Sequence, residues 1–169
     1  MAKDLTKAIG NVWAEARKDA AKYNDTLYSR EGAAQALNVH PTTLASYELG
    51  TCKNIPVDMA IMMADLYKKP ELLNHYCKHE CPIGCNLNLS CDVYDIDRLT
   101  VKLLSESKHL NELKDKLLEI AADGSVSVEE QDDFYKIEKE LNELAETISE
   151  IKIFGERIRN GRYYDEQSG

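Results

Sequence analysis

The sequence predicts an all-α protein in four parts: a five-helix domain over 1–76, a Cys-rich linker over 77–95, an antiparallel two-helix coiled-coil hairpin over 96–160 and a frayed tail over 161–169. Three observations carry that expectation. Apolar residues recur at helical spacing in the first half, in runs interrupted by Asn, Pro and Gly. Ser29 to Leu49 reads as two short helices meeting at an abrupt corner. From Leu99 to Ile158, leucine, isoleucine and phenylalanine recur in steps of four and three, the pattern of a coiled coil.

The first helix is expected over Leu5 to about Tyr23. Leu5, Ile9, Val12, Trp13, Ala16 and Ala20 share one face, with Trp13 in the core. Arg17, Lys18 and Lys22 near its end suit the negative end of the helix dipole, as a solvated face or as anion contacts. Asn24 to Tyr28 is a connector. Ser29 then reads as an N-cap, because its hydroxyl can accept from an unpaired first-turn amide. Gly32, a poor helix former, weakens this turn. The helix ends at Asn38, the non-Gly residue that best tolerates a left-handed backbone. His40 caps the next helix, and Pro41 stands where a missing N–H costs nothing. Leu44 and Tyr47 share its inner face, and Gly50 ends it. Ala33, Ala34 and Ala36 let the two helices approach closely. The pair is a helix-turn-helix unit.

After a loop, Pro56 opens a fourth helix carrying Val57, Ala60, Ile61, Ala64 and Leu66, with Met59, Met62 and Met63 as adaptable core filler. Pro70 opens a short fifth with Leu72 and Leu73. In the hairpin, Leu99, Leu103, Leu110, Leu113, Leu117 and Ile120 mark one helix, with Glu106 in the one broken slot. Asp123-Gly124 turns the chain, and Ser127 with Glu130 reads as a capping box. Phe134, Ile137, Leu141, Leu144, Ile148, Ile151, Phe154 and Ile158 mark the second helix.

The corner carries a resemblance. Ser29-Arg30, Ala34, Leu37, Asn38-Val39-His40, Thr43-Leu44-Ala45, Glu48 and Gly50 are spaced as in the helix-turn-helix of the lambda-repressor-like family, also called the xenobiotic-response-element (XRE) type. Ala64 to Leu73 is similar to that family's fourth and fifth helices, so the resemblance covers about Leu5 to Tyr76. It implies a sequence-specific DNA-binding transcriptional regulator, repressor-like, that binds double-stranded DNA as a dimer. The recognition helix, about 41–49, would enter the major groove. Base edges then fall to Pro41, Thr42, Thr43 and Ser46, with His40 beside them. Phosphates fall to Ser29, Arg30, Lys53 and Asn54. None of Pro41, Thr42, Thr43 and Ser46 is Arg, Gln or Asn, so bidentate readout of guanine or adenine is not expected from them. DNA shape should carry more of the discrimination.

Charge divides the chain in the same way. Up to Tyr76 there are nine Lys/Arg and nine Asp/Glu; from Cys77 there are twelve against twenty-one, which places the whole net charge of −9 in the second part. A neutral DNA-binding head releases few counterions, so the salt dependence of its affinity should be modest. A lone unit of this size binds weakly. The hairpin, which cannot bury its whole apolar stripe by itself, is the expected homodimerisation device.

Cys77, Cys81, Cys85 and Cys91 cluster in the linker, with His75 and His79 within reach. Such a set can hold zinc or an iron–sulfur cluster, though its spacing is not that of the common zinc knuckles. Free thiols in a reducing cytosol and a redox-active disulfide are the other two states it admits. Cys52 is isolated and structural. There is no 18-residue apolar run and no leader-like N-terminus, so a cytoplasmic location without membrane contact is expected. No nucleophile–base pairing or phosphate loop points to an enzyme. Two alternatives to the regulator remain: a protein-interaction adaptor that keeps the fold without binding DNA, and a regulator that senses metal or redox state through the cysteines.

Overall fold

The computed structural model describes residues 11–84, 87–122 and 124–161, with Asn111 described by its backbone alone. The chain is all-α, with no strand among these residues. Seven α-helices occur among them: α1 Val12–Ala20, α2 Arg30–Ala36, α3 Pro41–Glu48, α4 Val57–Leu66, α5 Glu71–His79, α6 Ile96–Ile120 and α7 Gln131–Arg159. A 3-10 turn, Asp25–Tyr28, precedes α2. None of the described helices is long and apolar enough to cross a membrane. The chain divides into two compact units, Met1–Leu87 with Glu156–Gly169, and Asn88–Gly155.

In the first unit the helix ends follow local chemistry. Asn11 caps α1, its side-chain oxygen accepting from the amides of Trp13 and Ala14 at 3.0 and 3.2 Å. This cap sets the start at Val12 rather than Leu5; Leu5 and Ile9 lie outside the described residues. The Asn11 side-chain amide also donates to the Tyr47 carbonyl at 3.1 Å, tying the start of α1 to the end of α3. Ser29 caps α2 by accepting from the Gly32 amide at 2.9 Å.

Three helices then end in the same way. Asn38, Gly50 and Lys68 stand at positive φ (54°, 64° and 55°), and each is followed by an amide that reaches back to a last-turn carbonyl. At the first of these, Val39 donates to Ala34 at 2.9 Å, and the chain swings from α2 into α3.

The core of this unit joins all five helices. Trp13, Leu27, Ala33, Ala34, Leu37, Leu44, Tyr47, Ala60, Met63, Tyr67 and Leu72 are buried together. Alanines at the α2 contact allow the close approach. Gly32 has a different reason from the one its helix propensity suggests. A Cβ there would meet the Thr26 carbonyl oxygen at 2.2 Å, so only glycine lets the 3-10 turn lie against α2. On α4 the burial differs from the expected pattern. Met59, Ala60, Met63 and Ala64 face inward, whereas Val57, Ile61 and Met62 are exposed. The inner face is set one step around the helix, and the flexible methionines fill it in place of the branched residues.

In the second unit α6 and α7 run antiparallel, as their cross-links show. Lys102 pairs with Glu150 at 2.6 Å, and Thr147 donates to Glu106 at 2.7 Å. Toward the turn, Leu113, Leu117 and Ile120 pack with Ile137. The broken slot at Glu106 is thus filled by a polar pairing. Of the apolar stripe, Leu110, Phe134, Leu141 and Ile148 are exposed. At the start of α7, Glu130 accepts from both the amide and the hydroxyl of Ser127, at 2.9 and 2.7 Å. The hydroxyl is therefore spent on the carboxylate and not on the helix amide a full capping box would use. Asp123 and residues 162–169, which hold part of the expected turn and most of the expected tail, lie outside the described residues.

Candidate nucleic-acid interface

The corner between α2 and α3 is held by charge. Glu48, on the last turn of α3, is fully buried, and so is Arg17 of α1. The Arg17 Nε and Nη2 donate to the two Glu48 oxygens at 2.5 and 3.2 Å, and its Nη1 donates to the carbonyls of Leu27 and Tyr28 at 2.8 and 3.3 Å. Burial alone would pull the Arg17 guanidinium down, but the Glu48 carboxylate holds it above its usual value. Arg17 therefore belongs neither to a solvated face nor to an anion contact. The signal was in its position: 17 falls on the same helical face as Trp13, Ala16 and Ala20.

Arg30 shares the same carboxylate, its Nε donating to Glu48 at 2.9 Å. Its side chain stays about a third exposed, so the outer guanidinium nitrogens can meet a further anion while Glu48 orients the group. One buried glutamate thus links α1, α2 and α3. The Tyr67 hydroxyl lies in this region without a hydrogen-bond partner among the described residues; burial first, then the Glu48 charge, pushes it upward.

At the start of α3, the His40 Nδ1 accepts from the Thr42 amide at 3.3 Å and lies 2.8 Å from the Thr42 hydroxyl. A ring nitrogen that accepts an amide leaves the neutral ring's proton on Nε2. His40 and Thr42 are exposed, whereas Pro41, Thr43 and Ser46 are half-buried. The Ser46 hydroxyl is turned back onto the Thr43 carbonyl at 2.7 Å, so its donor is already in use. Ser29, Lys53 and Asn54 are exposed, and the Asn54 carbonyl accepts from the Cys52 thiol at 3.1 Å. The four base-facing candidates thus share one eight-residue helix, and Thr42 is the exposed one among them, its hydroxyl lying against the His40 ring.

The cysteines are distributed differently. None of Cys52, Cys77, Cys81 and Cys91 is joined in a disulfide. Cys77 and Cys81 belong to the first unit and Cys91 to the second, while Cys85 lies outside the described residues. The backbone presses close here, since a Cβ on Gly84 would lie 2.2 Å from the Cys77 carbonyl oxygen. Glu80, at the end of α5, accepts from the Trp13 indole and from the Ile55 amide, both at 3.2 Å.

No family model matches this chain, and neither any curated protein nor any solved structure matches it.

Proposed function

We propose that this chain is a DNA-binding transcriptional regulator of the helix-turn-helix type. On this reading α2 and α3 are the unit, α3 is the recognition helix in the major groove, and Ser29, Arg30, Lys53 and Asn54 meet phosphates. The observation that carries the reading is the Arg17–Glu48–Arg30 cluster, in which the buried Glu48 orients the partly exposed Arg30. It ties α1, α2 and α3 together and leaves His40 and Thr42 exposed at the start of α3, as insertion of a preformed helix into a groove requires. With Thr42 as the exposed base-facing side chain and His40 beside it, readout rests on hydroxyl and methyl contacts and on DNA shape.

Homodimerisation belongs to the same proposal. Phe134, Leu141 and Ile148 are seven apart along α7 and all exposed. Beside them an apolar groove of about 510 Å³ is lined by Leu110, Leu113, Leu117, Leu118, Ala121 and Leu141. A second copy presenting the same stripe would cover both and close a four-helix bundle.

Selection of bound duplexes from a random pool, at low and moderate salt, tests this reading. An enriched inverted repeat, lost on Thr42→Ala and weakened uniformly on Lys53→Ala, is the expected result. Light scattering should show a dimer that Leu141→Glu converts to monomer. The exposed Val57, Ile61 and Met62 of α4 favour a second reading, an adaptor that binds protein through this face and not DNA. Absence of any enriched sequence, with a dimer still present, would select it.

A further inference from the structure

His75 and His79 stand four residues apart on α5, so their side chains leave the same face of the helix. Their ring centroids are 4.5 Å apart with planes tilted by 42°. Their ligand nitrogens come within 4.8 Å of one another. Among the described residues neither ring is engaged in a hydrogen bond, unlike His40, whose ring caps α3. The neighbouring carboxylate, Glu80, is already committed to Trp13 and Ile55. His75 is half-buried, its ring meeting the Trp13 ring edge-on at 6.3 Å, while His79 is exposed. The pair is thus held by packing on one side and open to solvent on the other.

We infer that His75 and His79 form a binding site for a divalent transition-metal ion, a two-imidazole chelate on the last two turns of α5. Two neutral imidazoles at this spacing supply adjacent positions of a tetrahedral or square-based shell, with solvent in the remainder. Borderline ions are the class they suit, in the order Cu²⁺ above Ni²⁺ above Co²⁺. Oxygen-seeking Mg²⁺ and Ca²⁺ are not taken. A bound ion would fasten the end of α5, just ahead of Glu80, which holds the Trp13 indole and the Ile55 amide. This site does not depend on the DNA-binding reading, and neither result of its test alters that reading.

The geometry supplies its own probe. Trp13 is the only tryptophan of the chain, and its ring lies beside His75. NiCl₂ is titrated into the full-length protein, with a phosphine reductant keeping the thiols reduced, while tryptophan fluorescence is followed. Saturable quenching is expected, reversed by a chelator and competed by Zn²⁺. His79→Ala removes a ligand without touching Trp13, and should shift the titration at least about tenfold. His79→Gln should do the same, with an unchanged circular dichroism spectrum showing that the helix persists. His109→Ala and the double variant Cys77→Ser/Cys81→Ser should titrate like the parent. Absence of saturable quenching in the parent protein would overturn the assignment. So would a His79→Ala titration unchanged from the parent, or a site lost in the cysteine variant but kept in His79→Ala.

Discussion

The two units solve the same problem, keeping helices together, by different means. In the first, short helices surround a core whose central side chains are almost fully buried, and its buried Arg17–Glu48 pair is well satisfied: each Arg17 nitrogen donates, and Glu48 accepts from two arginines. In the second, two long helices share a small apolar cluster near the turn and are linked by the Lys102–Glu150 and Glu106–Thr147 pairs, the latter leaving Glu106 Oε2 without a partner among the described residues. Its apolar stripe is partly bare. Five short helices can enclose an interior, whereas two packed on each other bury only the faces that meet. The contrast is between a head held by a common core and an arm whose apolar stripe is only partly enclosed.

The largest expected effect tests the buried Arg17–Glu48 pair. Glu48→Ala strands the buried Arg17 charge and should cost about 3–5 kcal/mol of stability, read from denaturant unfolding. Glu106→Ala in the arm should cost about 1 kcal/mol or less, because its partner is a neutral hydroxyl and the substitution also removes a buried Oε2 that has no partner among the described residues. Equal losses would erase the distinction.

Glycine substitutions sharpen it further. Gly32→Ala drives a Cβ into the Thr26 carbonyl and should cost about 1–3 kcal/mol, despite alanine's better helix propensity. Gly124→Ala in the arm meets nothing within 4 Å and opposes only a positive φ of 76°, so the loss should be about 1 kcal/mol.

Acid should also act first on the head. Burial works to raise the Asp19 carboxyl, but hydrogen bonds and charge from Lys22 and Lys69 outweigh it and hold the group at about 2. Because that lies below the unfolded value, its contribution is complete above about pH 4 and fades as pH falls through 2. Asp19→Asn should flatten the decline of the urea midpoint over that window. Asp133, fully exposed on α7 and lowered by its hydrogen bond to Lys136, should leave the profile unchanged when replaced by Asn.

The smallest effect is a gain. Lys68 occupies a left-handed position at φ 55° on the surface, so Lys68→Gly should raise stability by about 1 kcal/mol. Differential scanning calorimetry would show the head melting later.

Much of the head was legible because its signals are local. Ser29, Asn38, His40, Pro41 and Gly50 act on backbone groups within four or five residues, so their types and order alone marked two helices and the corner between them. The candidate site was legible only as a set of positions. That Thr42 is open while Ser46 is turned inward depends on rotamers and burial, which residue types do not state. Nor did helix propensity explain Gly32, whose role comes from the turn packed against it.

By itself, then, the sequence determined that the chain is helical, where most of its helices begin and end, and that its negative charge is gathered in the second part. Only the tertiary structure decided which members of a helical face are enclosed. Arg17 meets Glu48 across 31 residues, and Glu106 meets Thr147 across 41. Desolvation and its compensation are set by what folds against a residue, so a charge read as solvent-facing became the centre of the head. In the arm, Leu110 and Leu141 stand exposed while Leu113 and Ile137 of the same stripe are enclosed, a difference that residue type and spacing do not state.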